Sequence, residues 1–432
     1  MPARTPGAVA RVAALCLGVT MVGLAATPLP AAEASPGAVQ AADAGRHVAA
    51  LAADALEGRE AGSRGGRAAG AYVVEELRRL GLQPAGDAGT YYQPFGSMRN
   101  ILALVPGDDP DCAHELVLVG AHYDHVGYGT PATSNGPTGF IHNGADDNAS
   151  GVAGVLEIAE ALVGGTTRPR RSVLLAFWDG EEKGLLGSWH FVRERPPPLA
   201  AMRPVFSVNL DMIGRLRGSR VEVYGIRSGL GLRRLLVDAN RGPGLDLDFD
   251  WDIVDDSDHF PFLASAVPTV MLHTGLHDEY HRPGDDAHLV DPGGIAAVSE
   301  VALALLLAVA DAEGGAPVFR AACREEGNAA RAALEAALPI DPVAPKPRWG
   351  MSTRRDGGDP SAPVVVRVVP GTPLAEAGLL VGDRILAIDG VAVHDHDDLL
   401  ARMAAAGDAV GISIDRRGRL VGLTVRGAGP PR

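Results

Sequence analysis

The sequence SVLLAFWDGEEKG occupies residues 172–184 and joins an apolar run to a pair of acids. The run from Ser172 to Phe177 is typical of a buried strand bounded by turn residues. Glu181 and Glu182 follow at the end of this strand. Carboxylates are rarely buried unless they are paired or bind a metal, and open α/β sheets bind their ligands at strand ends. The pair therefore indicates a functional site or, as the simpler alternative, acids that open the next helix.

Similar apolar runs on both sides of this stretch alternate with segments of helical periodicity. Strands are predicted at 101–105, 115–120, 205–210, 220–224 and 267–272. Helices are predicted at 38–56 and 66–80, from the 145–151 segment to about 162, and at 185–193, 230–239 and 294–310. This alternation predicts an α/β three-layer sandwich, with a mostly parallel mixed sheet between two layers of helices.

Length and composition limit the classes of protein. A chain of 432 residues predicts two or three domains. Its hydrophobic content of 46% with 21% charged residues is typical of a globular protein. A formal charge of −14 argues against nucleic-acid binding, because contacts to phosphates need a basic face. It also gives no polybasic signal for anionic lipid.

The N-terminus has the three parts of a secretory signal. Arg4 and Arg11 form a positive region, residues 12–26 are apolar, and Ala32-Glu33-Ala34 matches a cleavage site. We therefore expect residues 1–34 to be a signal peptide and the protein to be exported, to the periplasm or the exterior. An earlier cut or an uncleaved anchor is the alternative. No later stretch reads as a membrane span, so none is expected in the mature chain.

The chain has three cysteines, of which Cys16 lies in the signal. The other two, Cys112 and Cys323, form either a disulfide or two separate thiols, and the sequence leaves both open. They lack the close pairing of a cysteine-based metal site.

The composition changes near the C-terminus. An Ala-rich helix is expected at 316–338, and the four prolines between 339 and 347 indicate a stiff linker. About 85 residues of short strands and two short helices follow, enough for a separate small α+β domain. The predicted boundaries are 38–312 for the main domain, 313–347 for the helix and linker, and 348–427 for the small domain.

Histidines and acids collect just after the predicted strands. The set suits zinc, whose catalytic sites use imidazole and carboxylate ligands. Two zinc ions need one bridging carboxylate and about two further ligands each, and a nearby general base completes the chemistry. The candidates are His122, Asp124, Asp146, Asp147, Glu181, Glu182, Asp211 and His281.

Six segments carry these residues in a familiar order, and together they resemble the aminopeptidase Y family of co-catalytic di-zinc exopeptidases. They are GAHYDH (120–125), GADDNASG (144–151), DGEEKGLLGS (179–188), NLDMIG (209–214), SDHF (257–260) and YH (280–281). The resemblance covers residues 45–312 and implies a zinc exopeptidase fold with two Zn²⁺ per chain.

The resemblance also implies the metal ligands. His122 and Asp211 would hold one zinc, Glu182 and His281 would hold the other, and Asp147 would bridge the two. His125, Asp146 and His259 are expected to be surrounding polar residues rather than ligands.

The catalytic roles are implied in the same way. Glu181 would be the general base, taking a proton from the metal-bridging water and passing it to the leaving amine. Asp124 would orient His122, as carboxylates often do for metal-binding histidines. Tyr280 would stabilise the oxyanion of the tetrahedral intermediate.

The small domain resembles a PDZ domain. The matching segments are RWGM (348–351), VPGTPLAEAGL (369–379) and GDRILAIDG (382–390). The resemblance implies a loop at Trp349, Gly350 and Met351 that holds the C-terminal carboxylate of a peptide, which adds to the sheet as an extra strand. A purely structural appendage with a closed groove is the alternative.

These observations favour an exported zinc-dependent aminopeptidase that removes N-terminal residues from peptide substrates. A glutaminyl cyclase or a carboxypeptidase-type relative is the alternative within the fold. A non-catalytic protein that acts through its PDZ domain is the alternative of another class.

Overall fold

The computed structural model describes residues 39–166, 168–343, 345 and 347–426. The expected signal peptide at 1–34 lies outside this part of the chain. The described residues form two domains, each with its own sheet and its own hydrophobic core.

Nine of the described strands form one mixed sheet, in the order β1-β3-β5-β4-β6-β9-β7-β8, with β2 paired to β3. Their bounds are β1 Gln83–Pro84, β2 Tyr92–Phe95, β3 Met98–Val105, β4 Glu115–His122, β5 Ser172–Trp178, β6 Arg203–Leu210, β7 Arg220–Tyr224, β8 Asp246–Phe249 and β9 Thr269–His273. Strands β4, β5, β6 and β9 are mutually parallel, whereas β3 and β7 run antiparallel to their neighbours β5 and β9.

Helices cover both faces of this sheet. They are α1 Ala41–Leu51, α2 Arg64–Arg79, α3 Gly151–Gly164, α4 Leu186–Arg193, α5 Leu232–Ala239, α6 His259–Ala264, α7 Pro292–Ala310 and, after the domain, α8 Asn328–Glu335. Strand β5 is buried along its whole length, and its side chains alternate between the two layers. Leu175 packs with α1, α3 and α7, whereas Leu174 packs with Phe191 of α4 and Phe262 of α6. The predicted three-layer sandwich is confirmed.

The first helix is shorter than predicted, because the chain changes direction soon after Leu51. A short turn of 3-10 helix at Asp54–Arg59 contains Glu57 and Gly58 with positive φ. A side chain at Gly58 would lie 2.5 Å from the carbonyl oxygens of Gly127 and His142, so only glycine fits this close approach.

The helix predicted at 316–338 is wrong for most of its length, since only α8 and a turn at Ala321–Arg324 are helical. Residues ahead of the turn are extended and pair with the 228–230 loop, where the Leu230 N–H donates to the Val318 carbonyl. This tertiary pairing overrides the helical propensity of an Ala-rich segment. Cys112 and Cys323 are separate buried thiols.

Helix α7 is apolar enough to cross a membrane by length and composition, with 19 residues and a mean hydropathy of 2.1. The expectation that no later stretch has this length and apolar character is therefore wrong, whereas the expectation of no membrane span in the mature chain stays a prediction. The helix is 61% buried against its neighbours α1, α3 and α5, and a core helix of a soluble protein passes the same test.

The C-terminal domain is a small mixed fold around a second core. Its elements are β10 Met351–Arg354, β11 Val364–Val368, α9 Pro373–Glu376, β12 Arg384–Ile388, β13 Val391–Ala392, α10 His396–Ala405, β14 Ala409–Arg416 and β15 Arg419–Arg426. The sheet order is β10-β11-β12-β14-β15, all antiparallel, which leaves β10 at an edge.

Buried ion pairs join the two domains. Arg227 of the N-terminal domain donates to Asp356 Oδ1 at 2.7 Å, and Arg384, within the C-terminal domain, donates to Asp356 Oδ2 at 2.6 Å. Arg233 pairs with Asp415 at 2.7 Å, with the aspartate nearly inaccessible to solvent. The C-terminal domain is therefore docked against the sheet domain in addition to being connected by the proline-rich segment.

The docking contacts predict acid sensitivity. Burial alone would raise the pKa of Asp356, but Arg384 and Arg227 hold it well below its usual range. Burial alone would also raise the pKa of Glu326, but hydrogen bonds from Arg320 and Arg227 outweigh this effect and lower the pKa to about 2. Because both folded pKa values lie below the unfolded values of about 4, their stabilisation is present above pH 4 and is lost as the pH falls toward 2.

We expect Arg227→Met to lower the free energy of unfolding at pH 7 by about 3 kcal/mol, since it leaves buried carboxylate charge less compensated. Urea denaturation at pH 7 and pH 3 measures this, and the variant should lose less stability than the parent between the two. Arg64→Met is the control, because Arg64 is exposed and pairs with Glu57 at the surface. Equal pH slopes for parent and Arg227→Met would contradict the assignment.

Candidate metal centre

The predicted site residues meet at one edge of the large sheet. The carboxyl ends of the parallel strands β4, β5, β6 and β9 lie at this edge, which is where α/β sheets place ligands. His122 ends β4, and the other predicted residues follow these strands or lie in the turn that opens α3, namely Asp124, Asp147, Glu181, Glu182, Asp211, Tyr280 and His281.

The first group of ligand atoms forms around His122. Its Nε2 atom lies 3.4 Å from Asp147 Oδ1 and 3.4 Å from Asp211 Oδ1. All three side chains are buried. Two ligands bound at about 2.1 Å to one tetrahedral ion lie about 3.4 Å apart, so the group matches the spacing of a zinc site.

The second group forms around His281. Its Nε2 atom lies 3.1 Å from Asp147 Oδ2 and 3.2 Å from Glu182 Oε2. The other oxygen of Glu182 lies 2.7 Å from His125 Nδ1. Burial alone would raise the pKa of Glu182, but the hydrogen bonds to His125 and His281 hold it well below its usual range.

Asp147 connects the two groups. Its Oδ1 faces His122 and Asp211, whereas its Oδ2 faces His281 and Glu182. This is the arrangement that a carboxylate bridging two ions requires.

His125 is closer to the centre than a surrounding residue needs to be, since it also lies 3.7 Å from Asp147 Oδ2 and belongs to a set of four that could hold one ion. Asp146, by contrast, accepts hydrogen bonds from Ser150 and the Gly214 N–H. It is outside the three potential metal-binding groups found among the described residues.

Glu181 lies beside the first group, with Oε2 4.0 Å from His122 Nε2. Burial raises its pKa well above the usual range of a glutamate. Its backbone N–H donates to Asp124 Oδ1 at 3.1 Å. His122 Nδ1 lies 3.2 Å from the Asp124 carbonyl and 3.8 Å from the Asp124 carboxylate. Asp124 therefore contacts both the histidine and the segment that carries Glu181.

Two supporting residues were missed by the sequence analysis. Asp285 Oδ2 accepts the backbone N–H groups of Asp146 and Asp147, which fixes the turn that presents Asp147. Ser257 donates to Asp211 Oδ2 at 2.6 Å and accepts from Asn209. Ser257 begins the SDHF segment at 257–260, so the sequence carried a signal for it, whereas the loop that holds Asp285 has no recognisable motif.

Arg59 was also missed, because the sequence around it reads as a glycine-rich break. The side chain is 1% exposed and donates to four backbone carbonyls, those of Leu51, Tyr123, Asn143 and Gly144. No salt bridge to it is found within the described residues. Burial lowers its pKa to about 10, which leaves it charged at neutral pH, and Asp147 is the strongest of the acids that oppose this fall.

A cavity of about 280 Å³ opens beside the metal-ligand groups. Tyr280 lies in its wall, with its ring stacked on His281 at 4.0 Å between centroids. Burial raises the pKa of Tyr280, so the phenol stays protonated and can donate a hydrogen bond.

The predicted peptide loop lies at a second cavity, of about 240 Å³, between β10 and α10. Trp349, Gly350 and Met351 all line it. The Trp349 side chain is nevertheless buried in the domain core, where its indole N–H donates to the Met403 carbonyl. Gly350 has a φ of +81°, and a side chain there would collide with Thr372.

Comparison with protein-family models matches residues 100–306 to Peptidase family M28 and residues 364–415 to the PDZ domain. Leupeptin-inactivating enzyme 1 of Streptomyces exfoliatus is 27% identical over 281 residues, which is 62% of this chain and 59% of that enzyme. A probable glutamate carboxypeptidase, VP8 of Zea mays, is 30% identical over 244 residues, or 50% of this chain and 30% of that protein. The chain thus spans 59% and 30% of these two curated relatives, less than two thirds of either.

Among solved structures, the LapA aminopeptidase of Legionella pneumophila superposes with a TM-score of 0.54 at 17% identity. The match covers 63% of this chain and 73% of that one, and it supports the fold. The narrower resemblance to aminopeptidase Y members stays a prediction. The chain carries a Peptidase family M28 domain followed by a C-terminal PDZ domain.

Proposed function

We propose that the protein is an exported, zinc-dependent aminopeptidase that hydrolyses the N-terminal residue from peptides. The observation that carries the proposal is the geometry of Asp147, whose two oxygens each face a separate pair of buried ligands. Membership of its main domain in an M28 peptidase family supports a metallopeptidase.

The donor set fits two zinc ions. His122 and Asp211 would hold one and Glu182 and His281 the other, with Asp147 shared between them. A cluster of buried carboxylates that stay charged needs cations to compensate it. When bound, zinc ions polarise a carbonyl group and lower the pKa of water toward neutrality.

The neighbouring side chains then divide the work of peptide hydrolysis. Glu181 would accept a proton from the attacking water and return it to the leaving amine, a role that suits a carboxyl group of raised pKa. Asp124 would keep His122 and the Glu181 backbone in place. Tyr280 would donate a hydrogen bond from its phenol O–H to the developing oxyanion.

The charge of the cavity favours an aminopeptidase over a carboxypeptidase. A carboxypeptidase has to bind the α-carboxylate of its substrate, for which an arginine or lysine is the usual partner. Among the described residues, none of those lining the cavity is a lysine or arginine. The lining is instead acidic, which suits a substrate with a free amine.

For the PDZ domain we propose that a peptide C-terminus binds beside β10. The edge position of this strand leaves one side free for an added strand. The adjoining cavity is lined by Leu400 and Met403 of α10 and by the 347–353 segment. A closed structural appendage would show no such cavity.

The test is a panel of aminoacyl-nitroanilides and peptides, assayed with and without a chelator, together with metal analysis. We expect release of N-terminal residues, no cleavage of N-acetylated peptides, loss of activity on chelation and recovery with zinc. About two zinc ions per chain are expected.

Each alternative gives a different result in the same panel. Cleavage of blocked peptides from the C-terminus would indicate a carboxypeptidase. One zinc ion with cyclisation of N-terminal glutamine would indicate a glutaminyl cyclase. A function that survives the chelator unchanged would indicate a binding protein.

A further inference from the structure

The floor of the main cavity is formed by two paired strands. On β7 and β9, Glu222 is the cross-strand partner of His273 and Tyr224 is the partner of Met271, and all four line the cavity. The metal-ligand groups form the facing wall, with His122, Asp147 and Asp211 among the lining residues. A substrate held at the metal centre would therefore place a neighbouring side chain over this floor.

Two carboxylates outside the metal-ligand groups give the cavity its charge. Glu222 lies on the floor, with its side chain 24% exposed, and Asp256 is exposed on the 250–258 loop. The described lining residues offer them no lysine or arginine. Bound zinc ions would balance the metal-ligand carboxylates but not these two.

Glu222 has three polar neighbours, of which the one arginine lies outside the cavity lining. Its Oε2 accepts the Tyr224 hydroxyl at 2.9 Å. Arg220 lies 3.3 Å from Oε1, but this arginine is half-exposed and shared with Asp248 at 2.7 Å. His273 Nδ1 is 3.7 Å away and already accepts the Gly275 N–H.

The rest of the lining is apolar. Met212, Met271 and Leu276 present methyl and methylene groups along the walls. Long basic side chains bury their methylene stem against such surfaces while the charged end reaches a polar partner. A leucine side chain would cover the same walls but would separate the Glu222 carboxylate from water, with only the shared, half-exposed Arg220 to compensate it.

We propose that this cavity binds the side chain of a lysine or arginine at the N-terminus of the substrate, with Glu222 and Asp256 as its anionic partners. The inference rests on the proposed function, because the cavity is a substrate subsite only if the adjoining centre hydrolyses peptides. Glu222 then acts as a specificity-determining residue that leaves the chemical step unchanged.

The test compares kcat/KM of the zinc-loaded full chain for lysyl-, arginyl-, norleucyl- and leucyl-nitroanilides. Norleucine matches the stem of lysine without its charge. We expect the basic substrates to be preferred over norleucine by roughly 10-fold to 100-fold, as for a hydrogen bond between charged groups in a partly buried site.

Two variants locate the preference. Both Glu222→Gln and Asp256→Asn should reduce the ratio of lysyl to norleucyl kcat/KM. The reduction should be about 10-fold or more for Glu222→Gln and smaller for Asp256→Asn, because Asp256 is exposed. Activity on the norleucyl substrate should change little. Glu75→Gln, on the exposed face of α2 and outside the cavity lining, is the matched control and should leave every ratio unchanged.

The outcomes distinguish a wrong assignment of the cavity from a wrong assignment of the aminopeptidase function. Turnover with no preference for basic residues, or an equal loss on all substrates in Glu222→Gln, would overturn the assignment of the cavity. The equal loss would indicate that the acids hold the α-amine or the local fold instead. No release of any N-terminal residue by the zinc-loaded parent would overturn the aminopeptidase function, and this inference with it.

Discussion

Glu181→Gln is expected to lower kcat by about 10²-fold to 10⁴-fold while the zinc content and KM change little. The amide keeps the size of the carboxylate but cannot accept a proton from water. Glu181 lies 4.0 Å from His122 Nε2, beside the first ligand group and outside the assigned ligands, so its replacement leaves the four unshared ligands and the shared Asp147 in place. Nitroanilide turnover and metal analysis of the same preparation measure the two quantities.

Glu182→Gln is the matched comparison, since it alters the adjacent residue. This variant should lose zinc, because Glu182 Oε2 and His281 Nε2 form one of the ligand pairs. Normal turnover by Glu181→Gln would contradict its role as base, and loss of zinc from that variant would make Glu181 a ligand instead. The two variants together therefore distinguish the general base, Glu181, from the neighbouring metal ligand, Glu182.

Arg59→Met is expected to lower the free energy of unfolding by about 3–5 kcal/mol. The substitution removes the Arg59 donor from four buried carbonyls, of which that of Gly144 still accepts the Ala149 N–H, and it removes a positive charge close to the site carboxylates. Two of these carbonyls, of Asn143 and Gly144, immediately precede the turn that presents Asp147. The apparent affinity for zinc should therefore fall as well.

Urea denaturation and a zinc titration with a competing chelator test this prediction. Arg59→Lys should be intermediate, because one ammonium group cannot reach all four carbonyls. Arg78→Met is the control, since its side chain is 61% exposed on α2 and the variant should show no measurable change. Normal stability and zinc affinity of Arg59→Met would contradict the role of Arg59.

Part of this site was predictable from the sequence because several of its functional side chains lie at or just after the ends of strands. The carboxyl ends of parallel strands lie at one edge, so His122, Glu182 and Asp211 had to come near one another once the strands were recognised. The apolar runs identified those strands directly, with β5 as the clearest case.

Other parts depend on contacts that no local pattern records. Arg59 acts through carbonyls that lie up to 85 residues away in the chain. The segment at 316–338 has the composition of a helix but pairs with the 228–230 loop, and the strand β8 at Asp246–Phe249 has too few apolar residues to stand out. In each case tertiary packing decides the conformation.

The docking of the C-terminal domain through Asp356 and Asp415 has a geometric consequence. A groove on a free tether would sample many distances from the metal centre, whereas a groove fixed by buried ion pairs stays at one distance. A polypeptide anchored there by its C-terminus would be a tethered substrate, whose local concentration at the centre depends on its own length. Under the proposed function, chain length would therefore join sequence as a criterion for cleavage.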